Sequence, residues 1–145
     1  MAPGDVEFSD YIGMFAVTAG DGADERAAQM QEDHDDYGAI MLKALADRFA
    51  EALAEAMHER VRKDLWAYAA DESFKALDLI QEAYQGIRPA PGYPACPDLT
   101  ENAKVAELLV AGRIGVSVSE GFQLHPEQTT DAIICHHPQA KYFVV

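Results

Sequence analysis

The chain has 145 residues, is 49% hydrophobic and carries a formal net charge of −14. This length supports a single domain with its own core, residues 1–145, and is too short to argue for two. A protein that binds nucleic-acid backbones needs clustered Lys and Arg, so the charge argues against a nucleic-acid partner. The acidic residues concentrate in residues 1–36, where Arg26 is the only Lys or Arg. We expect this acidic N-terminal segment to be a solvated face, with a docking surface for a basic partner as the alternative.

The sequence contains no stretch typical of a signal peptide or a membrane span, so we expect a cytoplasmic protein without a membrane partner. The two cysteines, Cys96 and Cys135, fit a reducing compartment and do not form a Cys-x-x-Cys pair. Cys135 with His125, His136 and His137 could be considered as zinc ligands. Their spacing matches no known zinc finger, and adjacent histidines on a strand point to opposite faces. We therefore predict no metal site.

The first predicted elements are a strand and two helices. Residues 11–19, YIGMFAVTA, form an apolar run that stops at Gly20-Asp21-Gly22, which is typical of a buried strand followed by a turn. A short polar helix is predicted from Asp24 to about residue 34. A long helix is predicted from Asp36 to about Tyr68.

The long helix has an unusual pattern of apolar and acidic residues. The apolar ridge comprises Tyr37, Met41, Leu45, Phe49, Leu53, Met57, Val61 and Leu65, and the acidic ridge comprises Asp47, Glu51, Glu55 and Glu59. A four-residue repeat advances by about 40° per step around a helix of 3.6 residues per turn. The apolar ridge is therefore expected to be buried against different elements along its length, or the helix to be kinked, with the alanines beside it allowing close approach. The acidic ridge is expected to be an exposed stripe, or to turn one carboxylate towards a ligand.

The second half of the chain is predicted to contain two helices and two or three strands. The helices span about residues 73–83 and about 100–111, the second capped by Asp98 or Thr100. The predicted strands are residues 115–122, 130–136 and 141–145. Helices between strands at both ends indicate an α+β domain, with a mostly antiparallel sheet packed against a long central helix and shorter helices.

A proline-rich segment, YQGIRPAPGYPACP, spans residues 84–97. Proline fixes its own φ, lacks an N–H and holds the preceding residue extended, so this backbone can neither join a helix nor form a good central strand. It can form an extended rim whose N–H and C=O groups at Ala90 and Gly92 are free to meet a partner. Arg88 offers a donor fork suited to a carboxylate or phosphate, and Tyr93 offers an aromatic face. These properties leave two interpretations open, a rigid connector and a ligand cradle.

Three motifs carry a family resemblance. The run RPAPGYPACPDLTE, with DDYGAIMLKALADRFAEALAEAMHERVRKDLWAY and DYIGMFAVTAG, closely resembles the activation domain of cobalamin-dependent methionine synthase. The similarity extends from about Asp10 to Val145 and implies that the chain binds S-adenosylmethionine. Residues 124–138, LHPEQTTDAIICHHP, depart from the family pattern, so we expect the same strands with an altered pocket lining. An aspartate that contacts the ligand in the family is expected in a portion N-terminal to the matched residues.

The resemblance also implies a set of ligand-binding residues. These are Arg88, the main chain of Ala90, the pocket-lining Tyr93, the aromatic pair Tyr142 and Phe143 of HPQAKYFVV, and the acidic Glu51 and Glu82. A guanidinium can bind the methionine carboxylate, aromatic faces can hold adenine, and carboxylates favour the positive sulfonium. No residue is expected to act as a catalytic acid, base or nucleophile.

The function implied by the resemblance is the repair of a cobalt cofactor. Members support the reductive methylation of cob(II)alamin to methylcobalamin, during methyl transfer from methyltetrahydrofolate to homocysteine. The expected partners are the cobalamin-binding domain and flavodoxin or a flavin reductase. Cobalamin is expected on the partner domain, because residues 32–38, EDHDDYG, miss the spacing of the Asp-x-His-x-x-Gly corrinoid signature and fit a helix start. The chain by itself is expected to have no turnover. The alternative is a non-catalytic interaction module that docks on a corrinoid protein or a flavodoxin-type reductase without binding S-adenosylmethionine.

Overall fold

The computed structural model describes residues 10–143. Its strands are β1 (Gly13–Thr18), β2 (Ser117–Val118), β3 (Leu124–His125) and β4 (Thr129–Ile134). Its α-helices are α1 (Ala23–Glu32), α2 (Asp36–Arg60), α3 (Ala76–Ile80) and α4 (Glu101–Leu109). A π turn at Val61–Leu65 continues α2, and a 3₁₀ turn at Ala111–Ile114 follows α4. The predicted α+β class, with a long central helix and antiparallel strands, is confirmed.

The strands form two antiparallel pairs. β1 pairs with β4 from Gly13 opposite Ile134 to Thr18 opposite Thr129, and β2 pairs with β3. Because side chains alternate across a strand, Phe15 and Ala132 lie on the same face of the β1–β4 pair. This face packs against α2 and forms the core.

α2 packs on the sheet through its small residues. Ala46, Ala50 and Ala54 are buried, and Ala54 is fully enclosed in the cluster that contains Phe15 and Ala132. Alanine lets the helix axis approach the strands closely, as the sequence predicted for the flanks of the apolar ridge.

The predicted burial of the apolar ridge is wrong for most of α2. Its members from Tyr37 to Leu53 are exposed within the described part of the chain, and Phe49 keeps 66% of its surface accessible. The alanine face takes the core position instead, because it permits the closer approach to β1 and β4. The ridge reaches the core at Met57, which packs against the cluster that includes buried Val61, whereas its last member, Leu65, is again exposed.

Two N-terminal signals behave as predicted. Asp35 accepts a hydrogen bond from the Gly38 N–H at 2.9 Å, so EDHDDYG does start α2. The acidic residues described between positions 10 and 36 are exposed, as expected of a solvated face. Positions 1–9 of that acidic segment lie outside the described residues.

Several predicted boundaries in the second half are wrong. The helix predicted at residues 73–83 is limited to α3, because Lys75 is extended and Glu82 adopts a left-handed φ of 52°. The strand predicted at 115–122 is limited to β2, because the chain turns where the Phe122 N–H donates to the Ser119 carbonyl.

The last predicted strand is not formed in its described part, residues 141–143, and residues 144–145 lie outside the described range. β3 was not predicted. α4 begins after Asp98, whose carboxylate accepts hydrogen bonds from both the N–H and the hydroxyl of Thr100. None of the described helices combines the length and apolar character needed to cross a membrane.

Candidate functional site

The proline-rich segment docks on the free edge of β4. Ile87 and Cys135 exchange two backbone hydrogen bonds of 2.9 and 3.0 Å, and the Ile133 N–H donates to the Pro89 carbonyl at 3.0 Å. Residues 87–89 thus extend the sheet by one short antiparallel segment. The approach is close at Gly86, where a Cβ would lie 2.4 Å from the Cys135 carbonyl oxygen.

Prolines prevent this segment from continuing as a strand. Pro89 and Pro91 are both buried and occupy alternate positions, and neither has an N–H to donate to β4. Backbone groups alternate in direction along an extended chain, so the N–H groups of Arg88 and Ala90 face away from β4. The Arg88 N–H donates to the Tyr142 hydroxyl at 2.7 Å. We call residues 87–93 the rim, within which the Ala90 N–H faces away from β4. The expectation of free backbone groups is wrong for Gly92, whose N–H donates to the Cys96 carbonyl at 2.8 Å. It is also wrong for the Ala90 carbonyl, which accepts a hydrogen bond from the Tyr93 N–H at 3.3 Å, because the chain turns after Ala90.

A cavity of about 330 Å³ lies against this rim. It is lined by all seven residues expected from the sequence: Glu51, Glu82, Arg88, Ala90, Tyr93, Tyr142 and Phe143. α2 supplies Glu51, and the left-handed turn after α3 supplies Glu82. Residues 142–143 supply the aromatic pair. The fold therefore brings these residues together, while their role in ligand binding stays a prediction. We call this space the rim cavity.

Glu55 of α2 holds the guanidinium of Arg88. The Arg88 Nη2 lies 3.1 Å from the Glu55 Oε2, and both side chains are largely buried. Burial acts to lower the pKa of Arg88, but the hydrogen bond and charge of Glu55 outweigh it and leave that pKa raised. Arg88 is therefore a permanent cation at the wall of the rim cavity.

A second arginine lies behind this pair. Arg62 is fully buried, and its Nε donates to the Glu72 Oε1 at 2.6 Å. Its guanidinium carbon lies 4.5 Å from the centre of the Tyr84 ring, which is the geometry of a cation–π contact. Burial, and then the nearby Tyr142 hydroxyl, raise the pKa of Tyr84. His58 packs edge-on against the same ring, and burial lowers its pKa to about 3, so it is neutral.

Sequence reasoning did not identify Arg62, Glu72 or Tyr84 as part of the site. For Glu55 the sequence held a signal, since it belongs to the acidic ridge that was expected to be exposed or to turn one carboxylate inward. Glu55 is the half-buried member, whereas Asp47, Glu51 and Glu59 are exposed.

Over residues 1–145 the sequence matches the family of activation domains of vitamin B12 dependent methionine synthase. The chain belongs to this family. The resemblance noted from the sequence is thereby confirmed.

A solved structure supports the same assignment for this activation domain. It is similar to the crystal structure of the MetH reactivation domain bound to AdoHcy, with a TM-score of 0.88 and 50% sequence identity. The match covers 91% of this chain and 41% of that one, so the chain spans less than half the length of the solved protein.

A larger groove adjoins the rim cavity of the activation domain. It has a volume of about 820 Å³ and runs between α2, the rim and β3–β4. It shares Glu51, Ala90, Tyr93 and Thr130 with the rim cavity. Asp131 on β4 lines it, and burial raises the pKa of this carboxyl group to about 6. With further carboxylates at its edge and Arg48 as the single Lys or Arg among its described lining residues, the groove favours a cationic ligand group.

Potential metal ligands do not gather in the described range, where no group of three or more His, Cys, Asp or Glu side chains is placed to hold an ion. His136 instead packs against the Trp66 ring, with centroids 4.7 Å apart.

Proposed function

We propose that this activation domain binds S-adenosylmethionine in the rim cavity and presents its methyl group for the reactivation of methionine synthase. The observation that carries the proposal is the similar MetH reactivation domain, which is 50% identical and bound to AdoHcy. AdoHcy is what remains of S-adenosylmethionine after its methyl group has left. The volume of the rim cavity, about 330 Å³, supports this placement because it lies within the usual range for ligand sites.

The side chains around the rim cavity match the parts of this ligand. Arg88 would bind the methionine carboxylate, and its buried Nε has no hydrogen-bond acceptor within the described residues. The outward N–H of Ala90 would supply a main-chain contact. Tyr93, which is 65% exposed, would offer an aromatic face at the mouth of the cavity.

The remaining predicted residues complete this arrangement. Tyr142 and Phe143 would hold the adenine, and Glu51 and Glu82 would stabilise the positive sulfonium, since carboxylates attract a cation. The protein's contribution is to bind and orient the methyl donor, because methyl transfer from a sulfonium requires no acid or base from the protein.

The reaction we propose is the reductive methylation of cob(II)alamin to methylcobalamin, within the transfer of a methyl group from methyltetrahydrofolate to homocysteine. The methyl group would come from S-adenosylmethionine and the electron from flavodoxin or a flavin reductase. Cobalamin would be held by the cobalamin-binding domain, because His34 and its neighbours in EDHDDYG serve here to start α2. The chain would thus act in the cytoplasm as part of a methyltransferase and have no turnover by itself.

Calorimetric titration with S-adenosylmethionine tests the proposal. The intact protein is expected to bind, and Arg88→Ala is expected to weaken binding by about tenfold to a hundredfold, the effect of losing a charge-assisted hydrogen bond. Arg113→Ala is the matched control, because Arg113 is an exposed arginine in the 3₁₀ turn after α4 and does not line the rim cavity. Absence of binding by the intact protein would refute the proposal.

One observation favours the alternative of an interaction module. Large apolar side chains on α2, among them Tyr37 at 75% and Phe49 at 66% exposed, form a stripe that the described residues leave uncovered. Such stripes mark protein–protein contacts. A stable complex with the cobalamin-binding domain, formed by a protein that does not bind S-adenosylmethionine, would support this alternative.

A further inference from the structure

Glu55 lies between two guanidinium groups. Its Oε2 is 3.1 Å from the Arg88 Nη2, and its Oε1 is 4.0 Å from the Arg62 Nη1. Arg62 is itself fixed by Glu72, whose side chain is only 7% exposed. Arg88, Glu55, Arg62 and Glu72 therefore form a row of alternating charges that runs from the wall of the rim cavity into the interior.

Only one member of this row borders the rim cavity. Arg88 lines it, whereas Glu55, Arg62 and Glu72 do not. The ion pair with Arg88 is therefore the contact that connects Glu55 with the wall of the rim cavity. The Arg88 Nη2 is occupied by Glu55, while its buried Nε is a donor without an acceptor among the described residues. The contact with Glu55 thus leaves the Nε donor available for a ligand carboxylate.

The charges of the row make the contact between Glu55 and Arg88 necessary for the orientation of Arg88. Arg62 cannot move away, because it is fully buried, bound to Glu72 and packed against the Tyr84 ring. Without the Glu55 carboxylate, Arg88 would face another fixed cation in a poorly solvated place, and like charges repel strongly there. The guanidinium would then turn away from the position in which its Nε meets the ligand.

We propose that Glu55 is a positioning residue, which holds Arg88 in the orientation that binds the ligand's carboxylate and is itself supported by Arg62 and Glu72. This rests on the proposed function of the rim cavity and adds to it a determinant of specificity for amino-acid-bearing nucleosides. A nucleoside that lacks the carboxylate gains nothing from the orientation of Arg88. Its affinity is therefore independent of Glu55.

The experiment compares two ligands on two matched variants. S-adenosylmethionine carries the carboxylate, and 5′-methylthioadenosine has a similar nucleoside without it. Glu55→Gln removes the charge at nearly constant shape, and Glu59→Gln makes the same change one helical turn later, at an exposed residue paired with Lys63. We expect Glu55→Gln to weaken the binding of S-adenosylmethionine by about tenfold or more and to leave the affinity for methylthioadenosine unchanged. Glu59→Gln is expected to bind both ligands as the unaltered protein does.

A double-mutant cycle with Arg88→Ala gives a second readout. In the Arg88→Ala background, Glu55→Gln is expected to cause no further change in the affinity for S-adenosylmethionine, because Glu55 acts through the Arg88 guanidinium. Glu55→Asp keeps the charge and serves as the comparison if Glu55→Gln does not fold. The inference would be overturned if Glu55→Gln lost affinity equally for both ligands, or if its affinity for S-adenosylmethionine were unchanged. Either result would leave the proposed function intact. A lack of S-adenosylmethionine binding by the unaltered protein would overturn both.

Discussion

Gly86 is the point at which the rim joins β4, and its replacement by alanine tests how the rim is placed. Its φ is +82°, and a Cβ there would lie 2.4 Å from the Cys135 carbonyl oxygen and 3.1 Å from the His136 Cα. Both atoms belong to the backbone, so no side-chain rotation can relieve the clash. Gly86→Ala must therefore push Ile87 away from Cys135 and break the two hydrogen bonds that the pair exchanges.

The expected loss of stability has two separable parts. A left-handed conformation costs a non-glycine residue about 1–2 kcal/mol, and the stiffer unfolded chain offsets about 0.4–1 kcal/mol of this. The two hydrogen bonds add about 0.5–1.5 kcal/mol each. Gly22 and Gly115 share the positive φ, but a Cβ at either meets no atom within 4 Å. Their alanine variants therefore measure the conformational part without the clash.

Urea unfolding followed by circular dichroism gives the free energy of unfolding of the three variants. Gly86→Ala should be less stable than Gly22→Ala and Gly115→Ala by about 1–3 kcal/mol, the value of the two hydrogen bonds. Calorimetry should show weaker S-adenosylmethionine binding for Gly86→Ala alone, because Arg88 lies two residues beyond the clash. If Gly86→Ala is as stable as the other two variants, the docking of the rim on β4 is refuted.

Three further predictions concern the surroundings of the rim. Tyr142→Phe removes the acceptor of the Arg88 N–H and should lower the free energy of unfolding in urea by about 0.5–1.5 kcal/mol. Ala54→Leu inserts bulk where α2 meets the sheet at a fully buried position, and should cost about 1–3 kcal/mol in the same assay. Asp131→Asn tests how the stability of the protein depends on pH. Because burial raises the pKa of Asp131 to about 6 from 3.8, its contribution to stability is fully present below pH 3.8 and is lost as the pH rises through 6. The stability of the unaltered protein relative to Asp131→Asn should therefore fall between pH 4 and 7, and a constant difference across that range would contradict the buried carboxyl.

The rim could be predicted from the sequence because proline chemistry is local. Pro89 and Pro91 lack an N–H and constrain the backbone around them in any fold, so an extended edge at Arg88 follows from the residues themselves. The turns between Ala90 and Cys96 that place Tyr93 depend on backbone hydrogen bonds that the prolines alone do not specify. The sheet edge on which the rim docks could not be predicted in this way. It depends on Cys135, which lies nearly fifty residues further along the chain.

α2 shows why the rest of the fold was harder to predict. The four-residue repeat of large apolar side chains, from Tyr37 to Leu53, favoured their burial, yet these side chains are exposed and the alanines face the sheet. Side-chain size favoured burial of the apolar ridge. The packing is decided instead by the small residues, because they let the backbones approach more closely. The pattern of the acidic ridge also could not show which carboxylate turns inward, because the partners of Glu55, Arg62 and Arg88, come from a π turn and from the rim.

The packing of α2 also links the core to the candidate site. Ala54 is enclosed by Phe15 and Ala132 of the sheet, and the next residue is Glu55, which contacts Arg88 on the rim. The rim is fixed to β4 by backbone hydrogen bonds, so the distance between α2 and the sheet sets the distance between the Glu55 carboxylate and the Arg88 guanidinium. A larger side chain at Ala54 would therefore separate this pair as well as strain the core. The same alanine face that left the apolar ridge exposed thus brings an acidic residue of α2 within hydrogen-bond distance of the rim arginine.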